Sequence, residues 1–213
     1  MIIEIQGLIP FPLKETDISR SEVWGRDNSF NSDNTYLVSA ESGKGKTTLL
    51  HCIYGLRKDY EGNVIINSDD IKSLSQTDLL NLRKQKLAIV PQGLFLFDEL
   101  NFFENIQLKN RLTKFKTESQ IEDMAVSLGM QSFYKQKTKT LSYGQKQRTA
   151  IIRALCQPFE FIILDEPFSH LDEKNIQSAW ELIKQEADIQ NAGIIITSLG
   201  NHYNLKFDKT LIL

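Results

Sequence analysis

Between a short apolar run, Tyr36-Leu37-Val38, and an apolar helix beginning near Leu49, the sequence reads Ser39-Ala40-Glu41-Ser42-Gly43-Lys44-Gly45-Lys46-Thr47-Thr48. No other stretch narrows the possible folds as much. A phosphate chain needs several backbone N–H groups converging on it, and a Gly-rich loop lets the backbone come that close. The helix that follows adds the positive end of its dipole. In such a loop Ser42, Gly43, Lys44, Gly45, Lys46, Thr47 and Thr48 form the cradle. Lys46 bridges the β- and γ-phosphates, and the Thr47 hydroxyl ligates Mg²⁺. Ala40 stands where the motif usually has Gly. An Ala held at positive φ costs ~1–2 kcal/mol, so the sequence predicts an ordinary φ there. A plain strand-to-helix turn would not explain why Gly-Lys-Thr falls in register with the helix start.

The rest of the chain fits a sheet built around that loop. Ile2–Ile5, Val64–Ile66, Leu87–Val90, Phe161–Leu164 and Ile194–Thr197 read as strands, several of them apolar at every position, as strands covered on both faces are. Lys46–Leu56, Asn101–Asn110, Glu118–Leu128, Gly144–Cys156 and Asn175–Ala187 read as helices. The alternation implies an α/β fold with a mostly parallel sheet between helical layers. The segment from about 93 to 140 has no strand signal and reads as an inserted helical subdomain within one domain spanning 1–213, whose core is 1–92 and 141–213. Lys14–Asn34 is polar and ends in a turn signal, Asn31-Ser32-Asp33-Asn34.

Two further segments carry chemistry. Phe161-Ile162-Ile163-Leu164 ends in Asp165-Glu166, which puts two carboxylates at the C-terminal edge of the sheet, where open α/β folds bind ligands. Beside the phosphate loop, Asp165 would hold Mg²⁺ through water and Glu166 would polarise the attacking water. Leu141-Ser142-Tyr143-Gly144-Gln145 precedes a helix, and Ser142 with Gln145 has the form of a capping box. A Ser-capped helix start with a Gly is either a well-capped surface helix or a second anion site. One nucleotide has one terminal phosphate, so two such sites in one chain suggest two chains meeting across each ATP.

Together these residues resemble the ATP-binding cassette (ABC) family over essentially the whole chain. Ala40–Thr48 is similar to the Walker A loop, Leu141–Gln145 to the signature motif and Phe161–Glu166 to the Walker B strand. Gln92, after Ile89-Val90-Pro91, matches the glutamine that in the family reaches Mg²⁺ and the lytic water. Ser169-His170-Leu171-Asp172 matches the loop that crosses the dimer interface. The resemblance implies a P-loop NTPase three-layer fold with an N-terminal antiparallel β portion. It also implies ATP and Mg²⁺ as cofactors, with the nucleotide held by the Walker residues of one subunit and by Ser142, Gly144, Gln145 and Asp172 of a second, a homodimer being expected. Ser198 occupies the place after the Ile194–Thr197 strand where the family has a His that contacts the γ-phosphate, and His202 lies four residues on. With Ser198 in that place, hydrolysis is expected to be slow without a partner. Phe11 is the nearest candidate for stacking on adenine, with Trp24 second. Tyr143 replaces the Gly most often found mid-signature.

The function classes separate on composition and on what is missing. With a formal net charge of −2 the chain lacks the basic excess of a nucleic-acid-binding domain, and no nucleic acid is expected. Cys52 and Cys156 lie far apart in apolar helical contexts and read as two buried thiols in a reducing compartment. The N-terminus lacks the pattern of a signal peptide, and no run approaches the ~18 apolar residues of a spanning helix. The reading is an ATPase subunit of a membrane transporter or membrane-remodelling complex, cytoplasmic and peripheral on the cytoplasmic face of the membrane. A soluble ABC ATPase acting on nucleic acid or ribosomes is the alternative. A P-loop kinase for a small metabolite would leave Gln92 and Ser142–Gln145 without a purpose. Leu94–Phe103 holds four aromatics in ten residues. In the family this neighbourhood receives a short helix of an integral membrane subunit, so residues about 92–103 are the expected contact. At least two of Leu94, Phe95, Leu96, Phe97, Leu100, Phe102 and Phe103 are expected to be solvent-accessible.

Overall fold

A computed structural model describes residues 1–213. Five strands form a parallel sheet in the order β6-β7-β8-β3-β9: β3 (Thr35–Ser39), β6 (Leu87–Val90), β7 (Phe161–Asp165), β8 (Gly193–Ser198) and β9 (Lys209–Ile212). A second, antiparallel sheet runs β2-β1-β4-β5, from β1 (Ile2–Pro10), β2 (Asn28–Asn31), β4 (Tyr60–Ile66) and β5 (Asp69–Asp70). The helices are α1 (Lys46–Ile53), α2 (Gln76–Gln85), α3 (Phe102–Asn110), α4 (Glu118–Ser127), α5 (Tyr143–Leu155) and α6 (Glu173–Gln190).

Alternation along the parallel strands divides the core in two. Leu37, Ala88, Val90, Ile162, Leu164, Ile194 and Ile196 point to one side, where α3, α4, α5 and α6 cover them. Tyr36, Val38, Leu87, Phe161, Ile163 and Ile195 point to the other, onto α1, α2 and the inner face of the antiparallel sheet, through Ile3, Ile5, Val64 and Ile66. Every residue of β7 and β8 is buried, which is why those strands read as unbroken apolar runs. Each fully buried Ile or Leu contributes about 1.5–3 kcal/mol of transfer free energy.

The parallel register sets the site. Asp165 pairs with Thr197 and Ser39 with Ser198, so the phosphate loop, the β7 carboxylates and the end of β8 emerge side by side at the C-terminal edge. Between β6 and α5 the chain builds α3, α4 and two short 3₁₀ turns. Phe102, Ile106, Ile121 and Met124 from that stretch join the same apolar cluster as β7 and α5.

Several elements depart from the sequence reading. The first helix stops at Ile53 rather than Leu56, because the amides of Leu56 and Arg57 both return to the His51 carbonyl and close it early. α2 gave no apolar periodicity because only Leu79 and Leu82 are buried on it; its signal was the Ser75 cap, which accepts from the Asp78 amide. β2 lies inside the polar Lys14–Asn34 segment, with Phe30 its one buried residue. β9 is an edge strand burying only Leu211. Cys52 and Cys156 are free and buried as expected, and burial pushes each thiol up to about 12.

Candidate functional site

The loop after β3 wraps around one ammonium group. Lys46 Nζ donates to the carbonyls of Ala40 and Glu41, each at 3.0 Å, and lies 3.2 Å from Glu166 Oε1. Its side chain is 5% exposed and that of Glu166 9%. Ala40 is not among the positive-φ residues, as its replacement of Gly predicted. Gly45, the N-cap of α1, has φ 97°, and a Cβ there would fall 2.9 Å from Trp24 Cζ2. Trp24 is buried, and its indole N–H donates to the Lys44 carbonyl at 3.1 Å. The tryptophan is thus a floor for the loop rather than a free stacking face, and the close contact explains why only glycine fits above it.

No side chain caps α1, and the first-turn amides of Lys46, Thr47 and Thr48 donate to no protein group. Unpaired N–H groups at a helix start carry the dipole's positive end and suit an anion. Beside them Thr47 Oγ1 donates to Asp165 Oδ2 at 2.6 Å and lies 3.5 Å from Gln92 Oε1. Gln92 Nε2 is 3.4 Å from Glu166 Oε2. A hydroxyl, an amide oxygen and one carboxylate form a hard oxygen donor set. That set suits Mg²⁺, which binds through one or two carboxylates and takes further oxygens from phosphate.

Thr197 was not singled out from sequence, yet it organises the carboxylates. Its hydroxyl donates to Asp165 Oδ1 at 2.7 Å and accepts from the Glu166 amide at 3.1 Å. Glu166 itself has φ 48°, a left-handed conformation rare for a residue with a Cβ and commonest at functional sites. The strand reading accounted for Thr197 only as a β-branched residue.

Ser142, Gly144, Gln145 and Asp172 make no hydrogen bond to this cluster. Ser142 caps α5 in a capping box: its side chain accepts from the Gln145 amide, and Gln145 Oε1 accepts from the Ser142 amide. Ser142 is exposed. At Gly144 a Cβ would sit 2.9 Å from the His170 carbonyl oxygen, so glycine permits the close approach of the 169–171 loop. Asp172 caps α6, accepting from the Asn175 amide, and that bond holds its carboxyl below the usual range. Gln147, not singled out from sequence, ties the same loop to α5 through Ser169 Oγ and the His170 amide.

Ser198 ends β8 fully buried, and its hydroxyl has no hydrogen-bond partner. His202 is exposed. Tyr203 packs edge-on against Phe168, and burial together with the negative charge of Glu166 raises its phenol above the ordinary value. Phe11 lies on a 3₁₀ turn, 52% exposed, with the Lys14 ammonium 4.7 Å from its ring centre. A cavity of about 880 Å³ adjoins Ser39–Lys44 and is lined also by Arg20, Trp24 and Leu199; Phe11 does not line it. In the aromatic-rich stretch Phe95 and Phe97 are 71% and 59% exposed, while Leu94 and Phe102 are buried. The expectation of at least two accessible residues there is met. Leu94 and Phe95 both have positive φ, and their carbonyls accept from the Arg153 guanidinium. Burial lowers that guanidinium to about 10.

Residues 27–169 match the family model described as ABC transporter. The chain is 36% identical over 152 residues to the molybdate/tungstate import ATP-binding protein WtpC of Pyrococcus abyssi. That match takes in 69% of this chain and 42% of the relative. It is 30% identical over 188 residues to the lipoprotein-releasing system ATP-binding protein LolD of Hydrogenovibrio crunogenus, covering 87% and 82%. Among solved structures, the dimeric bacterial ABC transporter cassette MJ0796 superposes with a TM-score of 0.75 at 25% identity, over 92% of this chain and 87% of that one. An ATP-bound bacterial Atm1-family ABC exporter shares the fold at a TM-score of 0.79 and 21% identity, over all of this chain and 36% of that one.

Proposed function

Because the chain belongs to the ABC transporter family, as one of its ATP-binding and ATP-hydrolysing members, we propose that two copies close around ATP and drive a separate integral membrane subunit. One observation carries this reading. The cluster of Lys46, Thr47, Gln92, Asp165 and Glu166 is assembled within the chain, whereas Ser142 stands exposed and its side chain bonds only within its own helix cap.

In this reading Lys46 and the α1 amides bind the phosphates, and Ser142, Gly144, Gln145 and Asp172 of a second chain close over them. Glu166 accepts the proton of the attacking water, and Gln92, within reach of both Glu166 and Thr47, orients that water. Thr47, Gln92 and Asp165 would hold Mg²⁺, which would neutralise phosphate charge. Thr197 keeps Asp165 turned toward Thr47. Ser198 is fully buried at the end of β8, so its hydroxyl would serve the γ-phosphate only if that strand end opened around it. The phosphate loop and the adjoining cavity hold the rest of the nucleotide; Phe11, which does not line that cavity, has no part in this reading. The chain sits peripherally on the cytoplasmic face of the membrane, and the exposed Phe95 and Phe97 meet the membrane subunit.

Light scattering on Glu166→Gln tests the pairing: ATP should double the mass, and a monomer with and without ATP would refute it. Phe95→Glu should free the protein from its native membranes while ATP binding persists; unchanged sedimentation with the membranes would refute the proposed contact.

A further inference from the structure

The phenol of Tyr143 reaches out of the Ser142–Gly144 segment and donates to the backbone carbonyl of Gln92 at 3.2 Å. Its ring lies against His170, with centroids 4.2 Å apart and a 49° tilt. Both neighbours make further contacts of their own. The Gln92 side chain spans Thr47 and Glu166. His170 is held by Gln147 through its amide, and its ring nitrogen lies 2.9 Å from Ser169 Oγ. Gly144 packs directly on the His170 carbonyl. One aromatic side chain with two rotatable bonds therefore joins the water-orienting glutamine, the loop before α6 and the exposed helix start.

The chemical consequence follows from which ATP each part would serve. Gln92 acts on the ATP held by its own chain, and Ser142 and Gly144 act on the ATP held by the other. We infer that Tyr143 is a positioning residue coupling the two ATP sites of the dimer, so that occupation of one chain's own site sets how its helix start engages the ATP of its partner. This inference rests on the two-chain reading proposed above. A glycine at this position, the residue most often found in the family, supplies neither the ring nor the hydroxyl, so the coupling is a property of this sequence.

Energetic coupling between sites is measured as cooperativity, and two coupled sites allow a Hill coefficient of up to 2. A neutral hydrogen bond of this kind corresponds to a coupling factor of roughly 2–12-fold. The wild-type chain should therefore hydrolyse ATP with a Hill coefficient above 1. Tyr143→Phe keeps the ring and removes the donor, and should lower the coefficient below the wild-type value while the dilute monomer binds ATP as tightly as wild type. His170→Ala removes the ring contact and leaves the hydroxyl bond, and should lower the coefficient by a smaller step. A purely structural tyrosine would change turnover or melting temperature without changing the coefficient. If Glu166→Gln dimerises with ATP and Tyr143→Phe keeps the wild-type coefficient, the coupling is overturned while the dimer stands. If Glu166→Gln never dimerises, the two-chain reading falls first and takes the coupling with it.

Discussion

The starts of α1 and α5 look alike in sequence, each a small-residue turn before an apolar helix, yet they solve the same electrostatic problem in opposite ways. At α1 the N-cap is Gly45, no side chain caps the helix, and a buried lysine faces a buried carboxylate. At α5 Ser142 and Gln145 satisfy each other's amides, and Ser142 itself is exposed. Capping contributes about 1 kcal/mol to a helix, and α1 forgoes it. An uncapped helix start persists here because the surrounding chain fixes it, through Trp24 below and the Lys46 bonds to Ala40 and Glu41. The first start leaves its amides free for an anion, and the second is closed by its own cap.

Three substitutions press on this contrast. Glu166→Gln should have the largest effect, lowering turnover by about 10²–10⁴-fold through loss of the proton acceptor while ATP affinity stays near wild type. Turnover close to wild type in a single-cycle assay would remove Glu166 from the chemistry. Lys46→Ala should act on binding instead, weakening ATP roughly 100-fold by calorimetry, since a charge-assisted contact is lost at the self-contained start. Unchanged affinity would break the assignment of α1 as the phosphate cradle. Ser142→Ala should be mildest. It should lower folding stability by about 1 kcal/mol through the lost cap and hydrolysis roughly tenfold, with monomer affinity unaltered. If Ser142→Ala weakened ATP binding by the monomer, the two starts would not be separate devices.

Much of the α1 cluster was legible in the sequence because its geometry is local. Gly45-Lys46-Thr47 fixes loop, cation and hydroxyl within three residues, and Asp165-Glu166 announces itself at the end of an apolar strand. The parallel layering followed from strands without polar positions. What escaped depends on register and on contacts across the fold. Thr197 matters because β8 pairs with β7 so that it faces Asp165. Trp24 matters because a polar segment carries it under Gly45. Tyr143 reads as a departure from a family glycine, and only its reach to the Gln92 carbonyl gives it a task. α2 and β9 were missed because each buries few side chains, leaving no periodicity to detect.

β7 and β8 lie inside the parallel sheet, bonded to a strand on each side and covered on both faces. Amides placed so exchange with solvent only when the whole domain unfolds, whereas exposed loops open at little cost. The residues proposed to act in hydrolysis, Asp165, Glu166, Thr197 and Ser198, lie at the ends of these two strands, where exchange should be slowest. The exposed Phe95 and Phe97, proposed to meet a membrane subunit, lie on the loop between β6 and α3, where exchange should be faster. Gentle heating or dilute denaturant should therefore erode partner recognition before it loosens the grip on phosphate. A warmed preparation would still retain nucleotide in a filter assay after it had ceased to respond to the rest of its complex.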